Sequence, residues 1–330
     1  MAMPGTLGGT TQPGQPGGLL NPGGLPAAGA GVSGARSLRR LARAITSNGK
    51  ATTGAVLLAI FIFVALFPEV FSRVNPNAEI FARNQAPSLH HLLGTTALDQ
   101  DIFAQVIYGT RAVLEIAFGV GLGATVIAMV IGVAAAYLGG LWDSGLGLLT
   151  DVLLVIPLFP LLIVISRYLG AGGAGTLVMI VVITATGWSY TARQLRSYAL
   201  SLRSRDFLEA ARVRGERPLY IIVVEIIPTM TSLLVASFLT NALYAVLFSS
   251  GLQFIGLGDP NTQSWGTMLY WAENNEAFQT QPIWIIAPGI CIVLLGAAFS
   301  LLNYAFDEIG NPALRPVRSM RRGKRVKPAQ

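Results

Sequence analysis

The stretch from residue 206 to 228 reads D-F-L-E-A-A-R-V-R-G-E-R-P-L-Y-I-I-V-V-E-I-I-P, a patterned polar segment with long apolar runs on either side of it. Asp206 is placed to cap a helix, and Glu209 three residues on completes a capping box. Phe207, Ala210 and Ala211 then fall on neighbouring turns of one short helix, and Gly215 supplies the stop. Arg212 and Arg214 sit in the last turn, where the helix dipole favours positive charge. Pro218 suits the first turn of a second helix, which is expected to run through residues 220–227 and end at Pro228. Two short helices of this kind, with alanines where a partner can approach closely, describe a docking element. They equally describe a basic amphipathic hairpin resting on anionic lipid, and these residues alone leave both open.

Outward from this segment the chain is apolar. Of 330 residues 52% are hydrophobic and 12% charged, against roughly 25% charged in an ordinary soluble domain. Six runs approach the ~20 residues needed to cross a bilayer at 1.5 Å per residue: 52–71, 112–138, 146–169, 176–190, 228–251 and 283–306. The fourth is short. Pro157, Pro160 and Pro288 lie inside runs, where a kink or broken turn is expected. The predicted fold is an all-α integral membrane protein of about six spans, with a transmembrane domain over 51–310. A Gly/Pro-rich N-terminal segment, 1–50, is too poor in apolar side chains to offset its ordering entropy and is expected to be disordered. A basic tail, 311–330, follows. The first apolar run comes after the basic cluster Arg36, Arg39, Arg40, Arg43 and Lys50, and it reads as an uncleaved span rather than a signal peptide.

Lys and Arg give these spans a direction. With the N-terminus inside, five fall in the N-terminal segment, seven in 191–227 and seven after Phe306, which is 19 of the 23. Arg73, Arg83, Arg111 and Arg167 fall outside or at the outer edge. Topology therefore accounts for the net charge of +7. A nucleic-acid role is not needed, because the basic tail from Arg318 to Lys327 has no interleaved aromatics for base stacking.

The triplet Glu209-Ala210-Ala211, then Gly215 four residues after Ala211, then Ile226-Ile227-Pro228, resembles the EAA signature of bacterial ABC importer permeases, without a gap in the spacing. Many members of the peptide branch carry His where this chain has Glu225. Other segments resemble the C-type subunit of the dipeptide/oligopeptide transport family. Leu93-Gly94-Thr95 through Asp101, followed by Tyr108-Gly109-Thr110-Arg111, is similar to its first outer loop, although the habitual L-G-T-D-x-x-G-R-D reads Leu-Gly-Thr-Thr-Ala-Leu-Asp-Gln-Asp here. Tyr137-Leu138-Gly139-Gly140 and Asp151-Val152-Leu153-Leu154 with Pro157 resemble the passage from second to third helix. Phe254-Ile255-Gly256-Leu257-Gly258 with Ser264-Trp265-Gly266-Thr267-Met268-Leu269 resembles the outer loop after the fifth. The resemblance covers about residues 50–315.

It implies a type I importer permease in the bacterial cell membrane with both termini cytoplasmic. Asp206, Phe207, Glu209, Ala210, Ala211, Arg212 and Gly215 would form a coupling helix seated in a cleft of an ATPase. The implied partners are a homologous second permease, two cytoplasmic ATPase subunits that use ATP and Mg, and an extracytoplasmic substrate-binding protein. Gly256, Gly258 and Trp265 are implied as part of the outer gate that meets the binding protein. Di- or oligopeptides are the implied cargo, with oligosaccharides, nickel chelates or other solutes as alternatives.

Catalytic chemistry is not expected of this chain. Its nearest approach to a phosphate loop, 44–51, lacks the leading Gly and the closing Ser/Thr, and no H-E-x-x-H occurs. His90 and His91, the only histidines, are adjacent in an outer loop and have no metal-ligand spacing around them; no bound metal or cofactor is expected. Asp151, near the inner end of a span, is expected to find a structural partner in the 191–228 loop or a neighbouring subunit. Glu115 and Arg111 have the i, i+4 spacing of an ion pair. Gly119 and Gly123 have the spacing of a helix-packing face, and Cys291 has no partner cysteine. An ion-coupled secondary transporter is the rival class. It places ionisable groups mid-membrane and often shows inverted repeats, and this sequence has neither a clear repeat nor appreciable mid-span charge.

Overall fold

The computed structural model describes residues 49–169 and 175–310. The N-terminal segment before residue 49 and the basic tail 311–330 lie outside the described residues. Within them the chain is helical, relieved by one isolated bridge between Thr95 and Asp101. In chain order the helices are α1 (Gly49–Leu66), α2 (Pro68–Phe71), α3 (Ile102–Leu138), α4 (Gly140–Val155), α5 (Leu158–Leu169), α6 (Thr176–Gly187), α7 (Ser189–Leu202), α8 (Asp206–Val213), α9 (Pro218–Thr229), α10 (Thr231–Phe254), α11 (Trp265–Asn274), α12 (Ala277–Thr280) and α13 (Ile283–Gly310).

Among the described residues, four helices are long and apolar enough to cross a bilayer: α1, α3, α10 and α13. A fifth span results if α4 and α5 count as one, although they meet at 89°. The expected six is therefore not reached. Pro157 is the reason in the third run: it has no N–H to continue the helix, and the preceding Ile156 is extended, at φ −73° and ψ 127°. The fourth run gives only the 12-residue α6, which ends at Gly187 before the amphipathic α7 begins. α1 stops at Leu66, five residues short of expectation, where Phe67 leaves helical geometry and Pro68 starts α2.

α3 begins ten residues earlier than its hydropathy suggests. Asp101 caps it, accepting from the Ala104 N–H at 2.8 Å. The polar residues of its first turns are absorbed locally: Gln105 donates to Gln100 at 2.6 Å, and Arg111 pairs with Glu115 at 3.0 Å as expected. Its 37 residues make a rod of about 55 Å, far longer than a hydrocarbon core of about 30 Å.

α3 and α10 run through both apolar clusters. One gathers α1, the first half of α3, α11, α13 and part of α10, around Trp265, Trp284 and Phe299. The other gathers the second half of α3 with α5 through α9 and the rest of α10, around Leu162, Leu195 and Leu208. In lipid, helix association depends on close packing rather than on apolar burial, so small residues mark the crossings. A Cβ at Gly54 of α1 would lie 2.9 Å from the Ala298 carbonyl oxygen of α13, and one at Gly132 of α3 would lie 2.5 Å from that of Ala192 in α7. Gly119 and Gly123 do form a packing face, against Ile180 and Thr184 of α6. A buried relay completes the centre: Thr191 donates to Asn241 Oδ1, and Asn241 Nδ2 donates to Thr125, both at 3.0 Å. It ties α7, α10 and α3 together.

Candidate functional site

α7 descends from the buried Thr191 and ends at Leu202, and only Arg203, Ser204 and Arg205 separate it from α8. The cap of α8 differs from expectation. Arg205, extended at φ −82° and ψ 140°, occupies the N-cap without a side-chain bond, and Asp206 is the first helical residue. Asp206 and Glu209 still place negative charge in the first turn, where the dipole favours it.

The inward face of α8 is Leu208 and Ala211, both fully buried in the cluster that holds Leu202, Ile221, Ile226 and Met230. Ala211 thus anchors the helix and is not available to a partner. The sequence reading missed Leu208, although the i, i+3 spacing of Leu208 and Ala211 was its signal. Asp206, Phe207, Glu209, Ala210, Arg212 and Gly215 all lie on the exposed side. Phe207, Ala210 and Val213 form an apolar stripe at i, i+3 and i+6, with Phe207 38% and Val213 83% exposed. Glu209, Arg212 and Arg214 frame these exposed apolar side chains, so the outer side of the pinned helix is an apolar patch with a charged rim.

The helix end is tightly defined. Gly215 has φ +76°. Its N–H donates to the Arg212 carbonyl at 2.9 Å, and the Glu216 N–H donates to that of Ala211 at 3.2 Å, the paired bonds of a Schellman motif. Arg212 lies 5.6 Å from the Tyr137 ring centroid, over the last turn of α3, and its Nη1 donates to the Arg203 carbonyl at 3.4 Å. Arg214 lies 3.7 Å from both Glu216 and Glu225. Glu225 thereby acquires a role: it faces the end of α8 from α9.

Pro218 starts α9 as expected, but Pro228 does not end it. The middle of α9, Ile221–Ile226, is π-helical, and the Ile227 N–H donates to the Ile222 carbonyl. The wide turn accommodates a proline that has no N–H of its own. The helix closes instead at Met230, before α10.

Asp151 finds its partner in the loop, pairing with Arg193 of α7. Beside the α4–α5 bend an apolar cleft of about 370 Å³ opens, lined by Ile156, Pro157, Tyr190, Asn241, Tyr244 and Phe248 among others. At the opposite end of α10, Gly256 (φ +79°) repeats the Schellman geometry of Gly215, with the Leu257 N–H donating to Leu252 and the Gly256 N–H to Gln253. Gly256 is exposed and Gly258 buried. Trp265 is fully buried, its Nε1 donating to the Val106 carbonyl at 3.1 Å and its ring edge-on to Phe61. It holds the loop after α10 against α3 from within and presents no surface to a partner. His91 bonds Asp101 at 2.7 Å through Nδ1 and packs against Phe81. Among the described residues no three metal-ligating side chains gather.

α8 is thus pinned on one side, exposed and partly apolar on the other, and attached to a bundle of apolar helices. Residues 124–309 match the family described as binding-protein-dependent transport system inner membrane component, and the chain belongs to it. It is 30% identical over 272 residues to the oligopeptide transport system permease protein OppC of Mycobacterium tuberculosis (strain ATCC 25618 / H37Rv), covering 82% of this chain and 91% of that one. A protein of Brucella suis biovar 1 (strain 1330) named as a peptide permease is 30% identical over 278 residues, with 83% and 91% covered. The chain is thus a multi-pass permease component of an ABC importer in the cytoplasmic membrane.

Proposed function

We propose that this permease imports di- or oligopeptides as one half of a translocation path, and that α8 is where the energy of ATP hydrolysis reaches it. The observation that carries this reading is the exposed Phe207–Ala210–Val213 stripe on a helix held down by Leu208 and Ala211. Two cytoplasmic ATPase subunits, which bind ATP and Mg themselves, dock on α8 and on its counterpart in a homologous second permease. An extracytoplasmic binding protein delivers cargo to the outer loops, where exposed Gly256 marks the turn after α10. The bias of Lys and Arg toward 191–227 and the tails supports a cytoplasmic position for both termini. The names of the mycobacterial and Brucella relatives support peptide cargo.

The test is Ala210→Arg in the assembled transporter. Ala210 is exposed, so thermal stability is expected to stay within about 0.5 kcal/mol while co-purification of the ATPase and peptide uptake are both lost. Unchanged ATPase retention would refute the docking face. Uptake of a sugar or metal chelate, and not of peptides, by the unmodified transporter would refute the cargo.

A further inference from the structure

α7 carries Arg193 and Arg196 on the side that meets α4, Arg203 follows at its end, and α4 with the turn before it answers the three in reverse order. Arg193 pairs with Asp151. Arg196 grips Asp143 with two bonds, Nε to Oδ1 at 2.6 Å and Nη2 to Oδ2 at 2.8 Å. Further down, the Arg203 guanidinium lies over Gly139, within 3.2 Å of where a Cβ would stand. A two-bond Arg–carboxylate contact fixes orientation as well as distance. That rung and the single-bond Arg193–Asp151 pair, with Arg203 over the turn that starts α4, fix the register of one helix along another. Their contribution to stability is small, since exposed pairs are worth about 0–1 kcal/mol; what they determine is which helices move together.

The placement of this rail matters. Its lower end lies at Arg203, three residues before α8. Its upper end lies at Asp151, four residues before the last residue of α4, Val155, and the bend at Ile156 and Pro157. The wall of the apolar cleft beside that bend includes Tyr190, which lies on α7 just above Arg193. One helix therefore carries the rail, precedes the docking face and lines the cleft.

We propose that Asp143–Arg196 and Asp151–Arg193 are positioning contacts that make α4 travel with α7, so that displacement of α8 by an ATPase is delivered to the α4–α5 bend. This rests on the docking role of α8. The bend is a hinge between two rigid helices, and the rail is the link between that hinge and the cytoplasmic lever.

Ile156, at the bend, is 37% exposed and can report the motion. In the complete transporter with Cys291→Ser, Ile156→Cys is labelled with a water-soluble maleimide, with and without ATP plus vanadate. With the native rail the labelling rate is expected to change by about tenfold, within the usual range of inter-site coupling. Asp143→Arg, Arg196→Asp and the milder Asp143→Asn each abolish the change while ATP hydrolysis and ATPase co-purification persist, and the exchanged pair Asp143→Arg with Arg196→Asp restores it. Persistence of the change in the single variants overturns the proposal, as does its absence from the exchanged pair or from the native rail with the ATPase bound. Loss of the ATPase from the single variants also overturns it, by reducing the rail to an assembly contact. An unmodified chain that retains no ATPase at all would instead refute the docking reading.

Discussion

Replacing Gly215 tests whether the geometry of the α8 terminus sets the strength of docking. A Cβ at Gly215 would meet nothing within 4 Å, so Gly215→Ala introduces no clash and its whole cost is the left-handed backbone at φ +76°. That cost is about 1–2 kcal/mol for an L-residue, and less for Asn. α8 has eight residues, well below the ~12–15 at which an isolated helix becomes even marginal. Its terminus therefore depends on the two Schellman bonds and on Leu208 and Ala211, with little intrinsic helicity to spare. A penalty of one to two kcal/mol is a factor of about 5–30 in the ratio of competent to frayed ends, and the apparent affinity falls with the competent fraction, by up to that factor. The assay is the dissociation constant of the purified ATPase subunit for permease variants in nanodiscs. Affinity is expected to fall in the order Gly, Asn, Ala, with Ala weaker by up to about 30-fold and the bundle's melting temperature unchanged. Equal affinity for Gly and Ala, or Asn weaker than Ala, would refute the reasoning.

Gly132→Ala places a methyl 2.5 Å from the Ala192 carbonyl oxygen, and the forced separation of α3 and α7 is expected to destabilise the protein by about 1–3 kcal/mol in detergent unfolding followed by tryptophan fluorescence. Asn241→Leu leaves the buried Thr125 and Thr191 hydroxyls without their shared partner, for an expected loss of about 1–3 kcal/mol in the same assay. Glu225→His is expected to leave peptide uptake within about twofold of the unmodified chain, since the 3.7 Å contact with the half-exposed Arg214 belongs to the class worth at most about 1 kcal/mol. A severe uptake defect in that variant would show that Glu225 does more than face the end of α8.

The sequence made the membrane class, the helical hairpin after α7 and its Gly215 stop legible, because each depends on local pattern: apolar run length, helix period, a glycine at a left-handed position. It misplaced what depends on neighbours. Hydropathy begins the second span at Ala112 since Gln105, Thr110 and Arg111 are polar, whereas Gln105 and Thr110 find partners inside the fold, Arg111 pairs with Glu115 along the exposed side of the same helix, and Asp101 caps it. The resemblance implies a Trp265 that meets a partner, yet the turn through Ser264 and Gly266 carries it inward to the Val106 carbonyl. Asp206 was expected as a cap from residue type alone, but the extended backbone falls one residue earlier, at Arg205. Leu208, the anchor of α8, has no unusual chemistry; only its burial distinguishes it. The partner of Asp151 was legible as belonging to the 191–228 loop, while its identity as Arg193 required the α4–α7 crossing.

The crossing of α1 and α13 has a consequence in time. Gly54 is in α1, near the start of the membrane domain, and the carbonyl of Ala298 that it rests on is in α13, near its end. At a synthesis rate of about 5–20 residues per second, the ribosome needs roughly 12–50 s to travel from one to the other. α1 can pack on α3 within that interval, but the notch at Gly54 stays without the backbone that fills it in the finished fold. The notch at Gly54 admits only a backbone that comes very near, so it selects its late partner by shape. Completion of this crossing is thus deferred until α13 leaves the ribosome.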